Sequence, residues 1–348
     1  MNATRRKSEP ATVLRVVVHY PLEGGHLILR HDGDWTADIE PSAIVGGTSF
    51  TFEWPAEQPF AYFKPVIVNV GADRWAVGPN RLVIASHDAI CYPYFEERAR
   101  CAQCEIREVR DASGRVIQRY RAFYPPGYFE NTLQRYPVLY MQDGQNLFFP
   151  GEAFGGAHWR IAETLTALDT MNALKHAIVV GLYADDRERS YTAPGYHDYG
   201  RRLVEEVKPV IDREYRTQSG PESTAVMGSS LGGVVSLYLA WQYPEVFGMA
   251  ACLSSTFGWA DDLRQRIGSE APRPIRLYLD SGWPSDNYEA TRAMYALLRS
   301  RGYVDGRDLS YFAFPDARHD ERHWAMRIHI PFQQFFSQAR ADRSVEAL

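Results

Sequence analysis

One short segment constrains the fold of this chain more than any other: Gly228, Ser230 and Gly232 match the pattern G-x-S-x-G. Residues 223–226 before it have the composition of a short buried strand, and residues 234–241 after it that of a buried helix. A serine in a tight turn between a strand and a helix is typical of a nucleophile elbow, in which glycines let the helix approach the strand closely. A Gly/Ser turn of a parallel sheet with no chemical role is the alternative interpretation.

The elbow interpretation assigns roles to two groups. The turn would lift the Ser230 hydroxyl clear of the backbone, at the positive end of the following helix. The N–H of Leu231 would then point to where an oxyanion forms during attack on a carbonyl. Ser230 is therefore the candidate nucleophile, and Leu231 is the first candidate oxyanion donor.

From residue 104 onward, strand-like and helix-like segments alternate. Strands are predicted at residues 106–110, 116–124, 137–141, 177–182, 249–253, 274–280 and 309–314, and helices at residues 159–173, 199–214, 288–301 and 320–339. The first two strands flank an Asp-Ala-Ser-Gly turn and predict an antiparallel hairpin, and Pro331 is expected to kink the last helix. This alternation predicts an α/β fold with a doubly wound, mostly parallel sheet that has helices on both faces.

The first part of the chain has a different pattern. Strands are predicted at residues 13–20, 26–30, 49–54, 60–64 and 66–70, with a hairpin turn at Asp32-Gly33. Several short strands with no helix between them predict a small all-β sandwich.

At 348 residues the chain is too long for one typical domain. The change of pattern predicts four segments. They are a disordered N-terminus at residues 1–10, a β-sandwich domain at 11–85, a linker at 86–103 and an α/β domain at 104–348.

Charge and hydropathy argue against two kinds of partner. The net charge of −5 gives no bulk electrostatic case for binding nucleic acid. Residues 224–244 carry no charged side chain, but their Gly/Ser-rich centre divides them into strand, turn and helix, so no membrane span is predicted.

The basic first residues are followed by no apolar segment before Glu9 and Pro10, so no secretory signal is predicted and a cytoplasmic protein is expected.

Two groups of residues have a spacing that occurs in metal sites. Cys101 and Cys104 form a lone C-x-x-C, whereas zinc sites usually need a second pair of ligands. His319 and His323 lie four residues apart, but their segment H-D-E-R-H lacks a glutamate directly after the first histidine, which the metalloprotease helix uses. Neither group predicts a metal, and no metal or organic cofactor is expected.

A serine nucleophile needs a base, and the base needs an orienting carboxylate. In this fold the order is serine, acid, histidine, with the last two on loops after later strands. His319 follows the last strand and is the predicted base, with His323 one helical turn further on as the reserve. Asp280, at a strand end, and Asp286, in the loop beyond it, compete as the acid. The loop position past Gly282 favours Asp286, and Asp280 is expected to hold the strand-end turn.

A second oxyanion donor is expected after an early strand of the sheet. The strand at residues 137–141 continues into Gln-Asp-Gly-Gln-Asn, where Gly144 permits a turn. The N–H of Gln145 is the candidate. An Asp-Gly turn with no chemical role is the alternative.

Four segments together resemble the esterase family of α/β-hydrolases that includes esterase D, enterochelin esterases, feruloyl and acetyl-xylan esterases and the mycolyltransferases. They are residues 140–148 (YMQDGQNLF), 228–233 (GSSLGG), 243–248 (YPEVFG) and 319–324 (HDERHW). The resemblance covers roughly residues 105–340 and implies Ser230 as nucleophile, Asp286 as acid and His319 as base. Many members carry Arg-x-x-Glu-Tyr after the middle strand. Here Tyr191 lacks that glutamate beside it, which puts inherited substrate contacts in doubt.

The sandwich segment loosely resembles the starch-binding type of carbohydrate-binding module, through Phe63-Lys64 and residues 75–81. In that family exposed tryptophans stack on sugar rings. Trp35, Trp54 and Trp75 are the candidates here, and ordinary packing is the alternative.

Together these observations predict a serine carboxylic ester hydrolase that acts through a Ser-His-Asp triad and an acyl-enzyme on a small acyl or sugar-linked ester. An acyltransferase with the same triad, and a carbohydrate-binding protein with an inactive hydrolase scaffold, are the alternatives. Carbohydrate as a partner and a homo-oligomer remain open. The aromatic residues that either shape a substrate pocket or only pack are Tyr191, Tyr196, Phe257, Trp259 and Trp283.

Overall fold

The computed structural model describes residues 12–337. The predicted disordered segment at residues 1–10 and the end of the last predicted helix, residues 338–339, lie outside the described residues. The chain divides into two compact units. One comprises the chain up to Ala102 with Pro126–Gln134 and Thr170–Asn172, and the other comprises the rest.

The described part of the first unit forms two β-sheets. Its strands are β1 (Thr12–His19), β2 (His26–His31), β3 (Asp34–Ile39), β4 (Ala43–Val45), β5 (Ser49–Ala56), β6 (Phe60–Val68), β7 (Arg74–Trp75), β8 (Arg81–Ile84) and β9 (Ala89–Cys91). One sheet has the order β4-β5-β1-β9, and the other has the order β3-β2-β6-β7 with β8 also paired to β6.

Alternation along the strands builds the core of this unit. Leu14, Val16 and Val18 are buried on β1, while Phe50 and Phe52 are buried on β5. Because successive side chains of a strand point to opposite faces, each of these strands presents one apolar face. Side chains of both sheets share one buried apolar cluster. This is the arrangement expected of a β-sandwich.

Two features of the first unit differ from the sequence interpretation. The segments predicted as two strands form the single strand β6, which runs through Pro65. The segment predicted as a linker contains β9, which pairs in parallel with β1. A strand of three residues is too short for its composition to reveal it.

The second unit contains the larger sheet and the α-helices. Its strands are β10 (Gln103–Arg110), β11 (Val116–Tyr124), β12 (Val138–Gln142), β13 (Ile178–Leu182), β14 (Thr224–Ser229), β15 (Met249–Leu253), β16 (Arg276–Trp283) and β17 (Leu309–Pro315). Its helices are α1 (Ile161–Thr170), α2 (Arg187–Tyr191), α3 (Gly195–Arg202), α4 (Lys208–Glu214), α5 (Leu231–Gln242), α6 (Leu263–Ser269), α7 (Tyr288–Ser300), α8 (Glu321–Arg327) and α9 (His329–Phe336).

The strand order of the larger sheet is β10-β11-β13-β12-β14-β15-β16-β17. The first three strands pair antiparallel, and all later neighbours pair in parallel. The predicted α/β class with a mostly parallel sheet is confirmed. Because parallel neighbours end at the same edge, the loops after β12, β14, β15, β16 and β17 meet along one side of the sheet.

The helix boundaries differ more from the sequence prediction than the sheet does. The helix predicted at residues 199–214 is α3, a π-helical turn at Leu203–Val207, and α4. Pro209 explains this break, because proline has no N–H to donate and its ring clashes with the carbonyl four residues earlier. The last predicted helix is interrupted at Ile328. Pro331 then lies in the first turn of α9, where its missing N–H leaves no hydrogen bond unmade.

The long uncharged segment at residues 224–244 divides into β14, the elbow turn and α5, as predicted. Among residues 12–337, no helix has both the length and the apolar character needed to cross a membrane.

Candidate active site

Ser230 lies between the last residue of β14 and the first residue of α5. Its backbone angles are φ 56° and ψ −124°, a conformation that costs energy for a residue with a side chain. Its N–H donates to the carbonyl of Leu253 at 2.9 Å, which ties the turn to the end of β15. This is the strained strand–turn–helix geometry of a nucleophile elbow.

The glycines around Ser230 are required by close approach of the backbone. A Cβ atom on Gly228 would lie 2.5 Å from the carbonyl carbon and oxygen of Gly232. A Cβ atom on Gly233 would lie 2.0 Å from Oγ of Ser255. Both distances are shorter than real Cβ contacts. At Gly228 the obstacle is backbone, so a larger residue there would move α5 away from the strand end, whereas at Gly233 the Ser255 side chain would have to move.

The two residues predicted as base and acid are in contact. Nδ1 of His319 and Oδ1 of Asp286 lie 2.6 Å apart. The carboxylate is buried, whereas 39% of the His319 side chain is exposed. The ring of Trp324 stands edge-on to the imidazole, with ring centroids 5.1 Å apart. Contact through Nδ1 leaves Nε2 as the nitrogen that can exchange a proton with another group.

The second oxygen of Asp286 is held from several sides. Oδ2 accepts hydrogen bonds from Oγ of Ser254 at 2.5 Å and from the N–H of Gly282 at 2.8 Å. Burial on its own raises the pKa of Asp286, but the hydrogen bonds from His319, Ser254 and Gly282 outweigh it, so the pKa lies below its usual value. The carboxylate therefore stays ionised at neutral pH.

The competing candidates have other partners. Asp280 is fully buried and accepts from the hydroxyl of Tyr278 at 2.7 Å and from Nε of Arg327 at 3.0 Å. Its carboxylate holds α8 through that ion pair rather than the strand-end turn. Nδ1 of His323 pairs with Asp320 at 2.9 Å, which is a contact within one helix start.

Gln145, the second predicted oxyanion donor, lies in a short 3₁₀ turn, Gly144–Asn146, that follows β12. Asp143 before it has a left-handed φ of 57°. A Cβ atom on Gly144 would lie 2.3 Å from the carbonyl oxygen of Gly181, so glycine is needed for the turn to pass the end of β13. Leu231 is the first residue of α5, where an N–H has no acceptor within the helix.

Short distances connect these loops. A Cβ atom on Gly232, two residues after Ser230, would lie 3.3 Å from Oδ2 of Asp143. Nδ2 of Asn146 lies 3.5 Å from Oε1 of Glu321, two residues after His319. The elbow, the Gln145 turn and the His319 loop therefore converge at one edge of the sheet.

Sequence reasoning missed the ion pair that supports the Gln145 turn. Nε of Arg187, at the start of α2, lies 2.7 Å from Oδ1 of Asp143, and the hydroxyl of Tyr191 accepts from the Asp143 N–H at 3.4 Å. Burial raises the pKa of Asp143, and Arg187 partly offsets that shift. The signal in the sequence is the Arg187–Tyr191 segment itself, in which Arg187 supplies a cation and Tyr191 a hydroxyl after the strand at residues 178–182.

The loop aromatics divide into two groups. Tyr191, Tyr196 and Phe257 are buried and pack in the core of this unit. Trp259 is 51% exposed and Trp283 is 48% exposed, and Trp283 lies three residues before Asp286. Of the five aromatic residues named from the sequence, Trp259 and Trp283 are the two that are exposed.

No group of three or more His, Cys, Asp or Glu side chains among residues 12–337 is arranged to hold a metal ion. Cys101 and Cys104 are free thiols.

A mostly parallel sheet with a nucleophile elbow after a central strand defines an α/β-hydrolase fold. The sequence model of the family described as "Putative esterase" matches residues 118–328, more than half of the chain. The chain belongs to this family and is a carboxylic ester hydrolase.

Two relatives and one solved structure illustrate the similarity. YbbA of Bacillus subtilis (strain 168) is 24% identical over 214 residues, which cover 54% of this chain and 80% of YbbA. An endo-1,4-beta-xylanase/feruloyl esterase of Xylanibacter ruminicola is 22% identical over 316 residues, covering 86% of this chain and 40% of that protein. The enterobactin esterase FES from Shigella flexneri, crystallised in the presence of enterobactin, has 16% identity and a TM-score of 0.55, covering 95% of this chain and 94% of its own.

These similarities differ in what they support. The structural likeness, at 16% identity, shows a shared fold. This chain spans less than half of the length of the xylanase/feruloyl esterase. The substrates of that protein are therefore not assigned to this chain.

Proposed function

We propose that this chain hydrolyses carboxylic esters through a Ser230–His319–Asp286 triad and a covalent acyl-enzyme. The observation that carries the proposal is the 2.6 Å contact between His319 Nδ1 and a buried Asp286, on loops that converge with a serine in strained elbow geometry. The acid–base contact and the strained serine support the proposed roles of acid, base and nucleophile.

The reaction follows from the groups at the site. Oγ of Ser230 attacks the ester carbonyl carbon while Nε2 of His319 takes its proton. Asp286 fixes the imidazole tautomer through Nδ1 and stabilises the imidazolium. The N–H groups of Leu231 and Gln145 donate to the oxyanion. The carbon–oxygen bond then breaks, and His319 gives its proton to the leaving alcohol.

Water completes the cycle by the same steps. His319 removes a proton from a water molecule, whose oxygen attacks the acyl carbon. The bond to Ser230 breaks, its oxygen recovers the proton from His319, and the free acid leaves. None of these steps requires a metal or an organic cofactor.

We propose a small acyl or sugar-linked ester as the substrate class. The relative named xylanase/feruloyl esterase and the structural neighbour named enterobactin esterase both carry ester hydrolysis in their names. Trp259 and Trp283 are exposed in this unit and offer apolar surface to an acyl or sugar group. A panel that compares p-nitrophenyl acetate, p-nitrophenyl butyrate and methyl ferulate tests the acyl preference.

The triad is tested by hydrolysis of a short-chain p-nitrophenyl ester. Ser230→Ala is expected to lower kcat by about 10⁴-fold or more. Ser229→Ala is the matched control, because Ser229 is the adjacent serine and its side chain is buried at the end of β14. A fluorophosphonate should label the wild type at Ser230 and leave Ser230→Ala unlabelled. Equal losses in both variants, or a wild type without turnover or label, would refute the triad.

We also propose that the first unit binds carbohydrate through Trp35 and Trp75. Their ring centroids lie 6.2 Å apart, and Trp75 is 38% exposed, whereas Trp54 is buried in the sandwich core. Gel electrophoresis through soluble starch should show retardation that Trp75→Ala removes and Phe60→Ala, another exposed aromatic of this unit, retains. Equal mobility with and without starch would refute this binding.

A further inference from the structure

Ser254 lies directly after β15 and next to the residue that accepts the Ser230 N–H. It is fully buried and has a left-handed φ of 45°, which is uncommon for a residue with a side chain. Its own N–H donates to the carbonyl of Asp280 at 2.7 Å, so β16 fixes its backbone. A strained, fully buried serine with a fixed backbone indicates that its side chain has a defined task.

Three polar groups meet at the Ser254 hydroxyl. Nε1 of Trp324 lies 2.9 Å from Oγ, Nη2 of Arg327 lies 2.5 Å from it, and Oδ2 of Asp286 lies 2.5 Å from it. A hydroxyl has one hydrogen and two lone pairs. The indole and the guanidinium can only donate, so they occupy both lone pairs, and the single hydrogen must point to Asp286. The direction of each hydrogen bond is therefore determined.

We propose that Ser254 is a positioning residue for the catalytic acid: fixed by Trp324 and Arg327, its hydroxyl holds Oδ2 of Asp286 so that Oδ1 faces His319. This inference rests on the triad proposed above. Ser254 touches neither substrate nor the reacting atoms. It acts through Asp286, which otherwise has only the Gly282 N–H and the more distant Arg327, at 3.5 Å, to fix the orientation of Oδ2.

The charges around this contact explain why a neutral hydroxyl is suited to it. Arg327 is buried between Asp280 at 3.0 Å and Asp286 at 3.5 Å, so a single cation serves two carboxyl groups, and burial raises the pKa of Asp280. During the proposed reaction, a proton on His319 places a second positive charge beside Asp286. Without the hydroxyl, Arg327, which already lies 3.5 Å from Oδ2 of Asp286, is expected to move closer and to compete with the imidazolium for the carboxylate.

Other charged groups lie at the start of α8, close in sequence to His319. Asp320 pairs with His323, and Glu321 is near Asn146. Burial raises the pKa of Glu321 above its usual value. A change in the pH profile must therefore be compared with a variant that leaves these groups in place.

The test measures kcat/KM for a p-nitrophenyl ester against pH in wild type, Ser254→Ala and Ser255→Ala. Ser255 is the matched control, since it is the next residue, is equally buried, and has a hydroxyl without a hydrogen-bond partner among the described residues. Rates are divided by the active sites that a fluorophosphonate titrates, which removes any loss caused by misfolding.

Ser254→Ala is expected to lower kcat/KM by about 10- to 100-fold, the effect of losing a buried hydrogen bond to a charged group. The acid limb of its pH profile should move to lower pH, because the imidazolium loses part of its stabilisation. Ser254→Cys, which keeps a weaker donor, should lie between Ser254→Ala and wild type. It also serves as the test variant if Ser254→Ala does not fold.

Two results would overturn the inference. One is an unshifted acid limb in both Ser254 variants, whatever their rates, which indicates a structural role alone. The other is the same shift in Ser255→Ala. Failure of the proposed triad is distinguishable from both, because the wild type itself would then take no label at Ser230.

Discussion

Gly282 lies against the loops that carry Asp286 and His319, and its replacement tests the geometry of the proposed site directly. It lies in β16, and its N–H donates to Oδ2 of Asp286 at 2.8 Å. A Cβ atom at this position would lie 1.9 Å from the carbonyl oxygen of Ala317, two residues before His319. It would also lie 2.9 Å from Cβ of Asp286. Gly282→Ala therefore pushes on both loops at once.

The size of the displacement follows from these distances. Real Cβ contacts are essentially never closer than 3.0 Å, so the Ala317 carbonyl must move by about 1.1 Å. The obstacle is backbone, so it cannot yield by rotating a side chain. If His319 moves with its loop, the 2.6 Å contact with Asp286 opens to about 3.7 Å, beyond hydrogen-bond range. A misplacement of about 1 Å costs roughly 10²-fold in rate.

The assay is kcat/KM for p-nitrophenyl acetate together with thermal unfolding. Gly268→Ala in α6 is the matched control, because a Cβ there meets nothing within 4 Å. We expect Gly282→Ala to lose about 10²-fold in kcat/KM while Gly268→Ala stays at the wild-type rate. Activity of Gly282→Ala within about threefold of wild type, in a folded protein, would show that Gly282 does not couple the acid to the base.

Two further predictions concern the buried charges. Because the folded pKa of Asp286 is lowered, its ionised form contributes stability that is present above its unfolded pKa of about 3.9 and is lost as pH falls through the folded value. The difference in free energy of unfolding between wild type and Asp286→Asn, measured in urea, should therefore shrink below about pH 4, and a difference independent of pH would contradict this. Arg327→Met leaves Asp280 buried without its cation and should destabilise the fold by about 3 kcal/mol at pH 7. Adding Asp280→Asn should recover part of that loss, and an unchanged urea midpoint in Arg327→Met would contradict the expectation.

The fold was predictable where local pattern decides it. Alternation of strands and helices after residue 104 and the G-x-S-x-G turn were sufficient for the sheet and the elbow. Helix lengths were less predictable, because they depend on single positions such as Pro209, whose effect appears as a π turn rather than as a helix end. The short strand β9 forms through tertiary pairing with β1, which local composition does not encode, and α2 is a single short turn of helix that Asp186 caps locally.

The candidates Ser230 and His319 could be predicted because the fold type specifies the loops in which a nucleophile and a base are expected. The acid was harder, since Asp280 and Asp286 follow the same strand. The structure separates them through side-chain direction. β16 continues to Trp283, so Asp280 lies within the strand and shares a face with Tyr278 two residues earlier. Asp286 lies beyond the strand end, where it reaches the loop of His319.

The groups that hold Asp286 could not be found from spacing at all. Ser254, Gly282 and Arg327 come from the loop after β15, from β16 and from α8, and they meet only because β15, β16 and β17 are neighbours in the sheet. Each of them, taken alone in the sequence, is an ordinary serine, glycine or arginine. They hold an ionised carboxylate against Nδ1 of His319, so in the proposed mechanism the proton that the histidine accepts is paired with a negative charge. We therefore expect the proposed triad to depend on these buried neighbours as well as on its three members.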